Sequence, residues 1–239
     1  MSAANRAALI RKTQRTLREA FPKVQLPIKD RPLLEHILYA CCLENSTPDQ
    51  ASEAFSKLQT LFVGWNEVRV TTNAELAEVM NCLTDPIAAA HRVRRTLHNM
   101  YETHYDFNID FLIKENLGKT QKLIKTYQGK AKGLLDFTIA YVTQNGLGGH
   151  AIPLNDGALD ALLILGIVTP RDRNRKKVPG LERTISKNKG AEFGALLHLL
   201  SATLTSDPYG KKVRELLLKI NPKCEDNLPR EPVAPSDLA

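Results

Sequence analysis

Two lysines in a glycine-containing break are the residues of this chain best placed to bind a ligand. Residues 119–127 and 134–144 carry apolar side chains at helical spacing, and the break between them contains Lys130 and Lys132. A helix, a tight hairpin and a second helix together direct backbone N–H groups and a helix N-terminus towards one point. Such a point suits a phosphate group, and its contacts carry no sequence information. We therefore predict phosphate binding at this hairpin.

A helix cap follows the second of these helices. Gly146-Leu147-Gly148-Gly149 interrupts the pattern, and Asn155 precedes an apolar run over Gly157–Leu165. An Asn side chain at this position accepts a hydrogen bond from the first turn of the helix. The glycines do not form a Gly-x-x-x-x-Gly-Lys-Ser/Thr pattern, so the sequence does not support nucleotide triphosphate hydrolysis.

The elements around these residues are predicted to be helical, which makes the fold class all-α. Helix starts are predicted at two capping boxes and two Asp-Pro pairs: Thr47–Gln50, Thr72–Glu75, Asp85-Pro86 and Asp207-Pro208. Leu33–Leu43 is a strongly apolar helix after Pro32. The only strand-like run is Val68–Thr71, which is too short to found a sheet. Residues 172–180 are predicted to form a basic loop.

Charge is distributed unevenly along the 239 residues, whose net charge is +7. Residues 114–132 hold six Lys and one acid, and residues 171–189 hold eight Lys/Arg and two acids. This balance favours a polyanionic partner. No apolar stretch of about 20 residues exists, so we expect no membrane span. The four cysteines lack metal-ligand spacing, and adjacent Cys41 and Cys42 argue against a disulfide framework. We therefore expect a reduced, cytoplasmic, soluble protein.

In the order of these elements the chain resembles the helix-hairpin-helix DNA glycosylases of the endonuclease III type. The resemblance covers about residues 30–220, including the early buried helix at Ile37-Leu38-Tyr39-Ala40 and the Ile152-Pro153-Leu154-Asn155 segment. It implies two helical lobes with duplex DNA across the cleft between them. The implied domains are a six-helix barrel lobe with the hairpin at 31–145, a second lobe at 1–30 and 146–220, and a mobile, acidic, proline-rich tail at 221–239.

The catalytic residues of that family are replaced in this chain. Its bifunctional members use a Lys at the start of the second hairpin helix to attack C1′, and an Asp 18 residues later supports the reaction. Placing Asn155 on the Asp puts Phe137 on the Lys, and neither residue can perform that chemistry. Asp156 is the adjacent carboxylate, displaced by about 100° around a helix. The family's Gly-hydrophobic-Gly hairpin is Gly133-Leu134-Leu135 here.

Two further features of the family have no counterpart in the sequence. Many members hold an iron–sulfur cluster with four C-terminal Cys, whereas only Cys224 lies in that region, with Asn227 where a second ligand would be. We therefore expect no iron–sulfur cluster and no other metal or cofactor. The Gln that members insert into the DNA stack corresponds to Cys41.

Three hypotheses follow. The first is a DNA-binding protein of this superfamily, impaired in base excision, that contacts mainly the phosphate backbone of duplex DNA and associates with the nucleoid if bacterial. The second is an active glycosylase that uses a non-standard residue such as Asp156 or Lys132. The third is a helical scaffold for protein partners. The residues predicted to contact DNA are Lys130, Lys132, Gly133, Thr138 and Asn155.

Overall fold

The computed structural model describes residues 1–129 and 135–229, with the side chain of Leu135 left out, and confirms the all-α fold class. Three predicted DNA contacts, Lys130, Lys132 and Gly133, lie outside the described residues. The α-helices are α1 (Ala3–Ala20), α2 (Leu33–Leu43), α3 (Pro48–Leu61), α4 (Trp65–Val70), α5 (Asn73–Val79), α6 (Pro86–His104), α7 (Leu117–Tyr127), α8 (Leu135–Asn145), α9 (Asp156–Ile164), α10 (Pro170–Asn174), α11 (Leu181–Thr184), α12 (Lys187–Ser206) and α13 (Lys211–Ile220). Two 3₁₀ helices cover Asp110–Lys114 and Pro222–Asn227.

The predicted helix starts follow the local cap chemistry. Thr47 and Thr72 each form both hydrogen bonds of a capping box, at the starts of α3 and α5. Asp85 caps α6 by accepting a hydrogen bond from the N–H of Ala88, and Pro86 occupies the first helical position. These starts form as predicted because each is encoded within four consecutive residues.

The strand-like run Val68–Thr71 founds no sheet, as its length predicted: Val68 lies in α4 and buries its side chain in the core. Two other local predictions were wrong. Asp207-Pro208 does not begin a helix. Asp207 instead ends α12, and α13 begins only after Gly210, whose N–H donates to the carbonyl of Asp207. The predicted loop at 172–180 contains part of α10, which is capped by Thr169.

Two separate clusters of buried apolar side chains form the core. The first joins α2 to α8 and includes Cys41 and Cys42. The second joins α1 to α9, α12 and α13 and includes Cys224. Two clusters of this kind are what the predicted two-lobe organisation requires, since each lobe must bury its own apolar surface. Among the described residues no helix is both long and apolar enough to cross a membrane.

The start of the predicted mobile tail is packed against the second cluster. Cys224 and Leu228 are buried there. The side-chain amide of Asn221 donates to the carbonyl of Leu165, and that of Asn227 donates to the carbonyl of Ile164. Residues 221–229 therefore close the C-terminal end of α9, whose last carbonyls would otherwise need other partners. Residues 230–239 lie outside the described part of the chain.

Candidate nucleic-acid interface and interlobe site

Asn155 joins the two clusters. Its Oδ1 accepts a hydrogen bond from the N–H of Ala158, as expected for the N-cap of α9, at 2.9 Å. Its Nδ2 donates to the backbone carbonyl of Glu44, also at 2.9 Å, at the end of α2. The side chain is buried, and its amide uses the oxygen as a hydrogen-bond acceptor and the nitrogen as a donor. This pair of contacts requires an amide, because a carboxylate has no N–H to donate.

Phe137 is enclosed in the same interface. Its side chain is 2% exposed and its ring lies beside those of Tyr141 and His198, with centroids 6.2 and 5.7 Å away. His198, on α12, donates from Nε2 to the carbonyl of Ser46 at 2.7 Å. Burial lowers the pKa of His198, so the neutral ring that this packing needs is favoured. Phe137 therefore packs α8 against α12, and it also lines a cavity of about 100 Å³ together with Tyr141 and His198.

The Glu44–Thr47 connection between α2 and α3 is thus held by the second lobe. Asn155 binds the carbonyl of Glu44 and His198 binds that of Ser46. Both bonds join residues more than 100 positions apart in sequence. The positions that the resemblance assigns to the catalytic pair, Phe137 and Asn155, are both occupied by interlobe packing.

Glu44, whose backbone carbonyl binds Asn155, interacts electrostatically with three other charged side chains: Arg92, Lys176 and Asp156. Glu44 is 4% exposed, and its Oε2 lies 3.6 Å from Nε of Arg92, which is also buried. Lys176 Nζ lies 3.0 Å from Oδ1 of Asp156, the first residue of α9. Burial raises the pKa of Glu44 to about 7, despite opposing effects of Arg92 and Lys176, and Asp156 raises it further. A carboxyl group that titrates near neutral pH is a feature typical of functional sites.

Lys176 itself has an uncommon backbone conformation. Its φ is +50°, in the left-handed region that glycine favours, at the end of the turn after α10. A glycine would adopt this conformation more easily, but Lys176 provides a side chain that forms an ion pair with Asp156. Residues held in such conformations are enriched at functional sites.

The basic segment at 171–189 lines one side of a groove beside α8. A cavity of about 480 Å³ is lined on one side by Asp136 and Ala140 of α8, immediately after the hairpin. On the other side it is lined by Lys176, Lys177 and neighbouring residues of the 171–189 segment. The fold therefore brings that basic segment alongside the helix that follows the hairpin.

Several predicted contacts are placed differently by the structure. Thr138 is fully buried, with Oγ1 unpartnered among the described residues, so its side chain does not reach a DNA strand in this conformation. Asn155 is also buried, and its amide is used within the protein. Cys41 is fully buried, and burial raises the pKa of its thiol to about 11. It therefore cannot be inserted into a DNA stack.

Comparison with known structures supports the all-α fold, whereas the sequence comparisons find no match. No family model matches the chain, and no curated protein matches it by sequence. An endonuclease III structure trapped as a covalent intermediate with DNA matches with a TM-score of 0.57, covering 84% of this chain and 86% of that one at 13% identity. A thermostable thymine-DNA glycosylase matches with a TM-score of 0.58, covering 88% and 93% at 14% identity. The chain has the fold of endonuclease III-like DNA glycosylases.

Within this endonuclease III-like fold, sequence reasoning missed four residues of the interlobe site. Glu44, Arg92 and His198 were not singled out, and Lys176 was only one of eight basic residues in its segment. A polar Glu-Asn-Ser-Thr run directly after the apolar α2 is the available signal for Glu44. The available signal for the burial of Arg92 is its position on the buried face of α6, next to Val93.

Proposed function

We propose that this protein binds duplex DNA through the phosphate backbone and does not use the Lys/Asp chemistry of the glycosylases whose fold it shares. The observation that carries the proposal is the use of Phe137 and Asn155 within the interlobe packing. Phe137 carries no amine and Asn155 carries no carboxylate at the two positions expected to react, whereas basic side chains are exposed on α7. Binding without base excision is the function that this combination supports best.

Exposed lysines support a phosphate-contacting surface beside the hairpin. Lys119, Lys122 and Lys125 are exposed along α7, and Lys177 is exposed across the groove from α8. Each phosphate neutralised by such a side chain releases condensed counterions, so affinity depends steeply on salt. Contacts of this type position a protein on DNA without reading its sequence.

We expect the salt dependence to identify the hairpin as part of this surface. For the wild-type protein, log affinity for duplex DNA should fall against log salt with a slope of about −4 to −5, from four to six phosphate contacts. Changing Lys130 and Lys132 to Ala should reduce the slope by up to about two and weaken binding to all sequences alike. Fluorescence anisotropy over a salt series measures both quantities.

A pair of distant lysines provides the control. Lys57 is paired with Glu53, and Lys219 with Glu19, so changing both to Ala should alter binding much less. Equal losses in the two double variants would contradict a role for the hairpin. If no duplex, intact or damaged, binds at low salt, the scaffold hypothesis is favoured instead.

A second candidate function is base excision by a different set of residues. The observation that favours it is the electrostatic interaction between the carboxyl group of Glu44, whose carbonyl binds Asn155, and the amine of Lys176. The raised pKa of Glu44 would suit a general acid or base near neutral pH. Asp156 already holds Lys176 in an ion pair, which opposes its use as a nucleophile. We therefore place this function second.

Covalent trapping distinguishes the two functions. We expect borohydride to trap no adduct between the protein and a duplex with an abasic site, because Phe137 cannot form a Schiff base. A bifunctional glycosylase serves as the positive control. An adduct that persists in wild type and disappears in Lys176→Gln would overturn the first function in favour of the second, and base release lost in Glu44→Gln would do the same.

A further inference from the structure

A basic groove on α6 lies outside the interlobe site. It has a volume of about 260 Å³ and is lined by Asn73, His91, Arg94, Arg95, His98 and Asn99. On a helix with 100° per residue, positions 91, 94, 95 and 98 fall within an arc of about 100° and extend about 10 Å along the axis. The four side chains are all exposed. Sequence reasoning did not single out any of them.

We infer that this groove is a second phosphate-binding surface, which receives the backbone of the same duplex DNA that contacts the hairpin. The inference rests on the proposed function and adds α6 to its contact surface. Duplex DNA is the occupant that fits, because the groove is concave, mostly polar and lined by two guanidinium groups. Arg binds phosphate oxygens through several N–H groups held in one plane.

The position of the groove connects it to the hairpin. Arg95 lies against Gly129, the last described residue before Lys130, where a Cβ atom would be 3.4 Å from Cδ of Arg95. Gly129 has a φ of +75°, so a side chain there is also disfavoured by the backbone. Asn99 donates from Nδ2 to the carbonyl of Tyr127 at 2.8 Å, at the end of α7. The groove and the chain entering the hairpin therefore form one continuous surface.

The basic side chains of the groove have no hydrogen-bonding or ion-pair partner in the part of the chain that the structure describes. Among the described residues, His91, Arg94, Arg95 and His98 form no ion pair and no side-chain hydrogen bond. By contrast Arg92, on the inward face of the same helix, contacts both Glu44 and the carbonyl of Cys41. Neighbouring guanidinium groups without a carboxylate repel each other, and an external anion removes that repulsion.

The test is a charge-removing double variant, Arg94→Gln with Arg95→Gln, measured with duplex DNA over a salt series. Loss of two phosphate contacts should reduce the magnitude of the slope by about 1.8 and weaken binding at 0.1 M salt roughly 10- to 60-fold. The matched control is Arg11→Gln with Arg15→Gln, two exposed arginines on α1 in the other cluster. Far-UV circular dichroism verifies that both variants keep their helices.

The Lys130→Ala/Lys132→Ala variant is measured alongside. If it loses affinity while the α6 variant matches wild type, the α6 groove is overturned and the proposed function stands. Equal losses in the α6 variant and the α1 control also overturn the groove, because net charge alone then explains the effect. If wild type binds no duplex at low salt, the proposed function and the groove are both rejected.

Discussion

Replacing Asn155 by Asp is expected to destabilise the protein by about 2–3 kcal/mol, although it introduces the acidic residue that the resemblance to DNA glycosylases implies at this position. The Nδ2 group of Asn155 donates to the carbonyl of Glu44 across the interlobe boundary. In the variant an oxygen faces that carbonyl, and a buried acceptor loses its donor. The loss of stability should be greatest at pH values where the new carboxyl group is ionised, and it should be smaller at acid pH. Urea unfolding of the variant and the wild type at several pH values measures this difference in unfolding free energy.

The matched control is Asn116→Asp at the start of α7. Asn116 is also an N-cap, accepting from the N–H of Lys119 at 3.2 Å, but it is exposed and no second bond of its side chain is seen among the described residues. Asp is as good an N-cap as Asn, and its charge interacts favourably with the helix dipole. We expect no destabilisation in this control. Equal behaviour of the two variants would contradict an interlobe role for the Asn155 amide.

Glu44→Gln is expected to stabilise the protein by about 3 kcal/mol at pH 8 and to have little effect at pH 4. The pKa of Glu44 is raised from 4.5 to about 7 in the folded protein, chiefly by burial. A difference of 2.5 in pKa corresponds to about 3.4 kcal/mol. Gln has the size of the protonated acid without its titration, so the variant avoids the cost of ionising a buried group.

The direction of this effect follows from linkage. The carboxyl group of Glu44 binds its proton more tightly in the folded state than in the unfolded state. The contribution of this proton to the free energy of unfolding is therefore fully present below about pH 4.5 and is lost as pH rises through about 7. Unfolding free energies between pH 4 and pH 8 should therefore fall more steeply for wild type than for Glu44→Gln. A parallel pH dependence in the two proteins would show that Glu44 is not buried with a raised pKa.

Glu19→Gln is the control, because the pKa of Glu19 is shifted in the opposite direction to that of Glu44. Its hydrogen bond with Lys219 lowers the pKa of Glu19 at the surface. A lowered pKa contributes stability above the unfolded value, and that contribution is lost as pH falls. This variant should therefore be slightly less stable than wild type at neutral pH, with the difference vanishing in acid. The opposite pH dependences of the two variants distinguish the effect of a buried carboxyl group from that of a surface ion pair.

Much of the fold was predictable because its determinants are local. The capping boxes at Thr47 and Thr72 each lie within four residues, and the apolar stripe of α2 is continuous in sequence. The strand-like pattern around Val68 did not determine its structure, for the complementary reason. A β-branched residue favours a strand locally, but burial against the first core cluster decides in favour of helix.

The site was less predictable because its parts are distant in sequence. Glu44 and Lys176 meet only when the two lobes pack, and their types alone do not single them out among the 59 charged residues, 33 basic and 26 acidic. The amide of Asn155 could be predicted as a cap, but its second bond to Glu44 depends on the interlobe geometry. The groove of α6 was within reach of sequence analysis. Arg94 and Arg95 fall off the apolar stripe that contains Arg92.

The distribution of thiols gives each core its own reporter of opening. Cys41 and Cys42 are buried in the first cluster and Cys224 in the second, and burial raises the pKa of all three. Alkylating reagents attack the thiolate, so these groups react only after their surroundings open. Pulsed alkylation followed by peptide mass analysis therefore resolves the opening free energy of each cluster separately within one intact chain. Alkylation of Cys41 without Cys224 would show that the two clusters open independently. Alkylation of both at the same rate would show that the clusters open as a single cooperative unit.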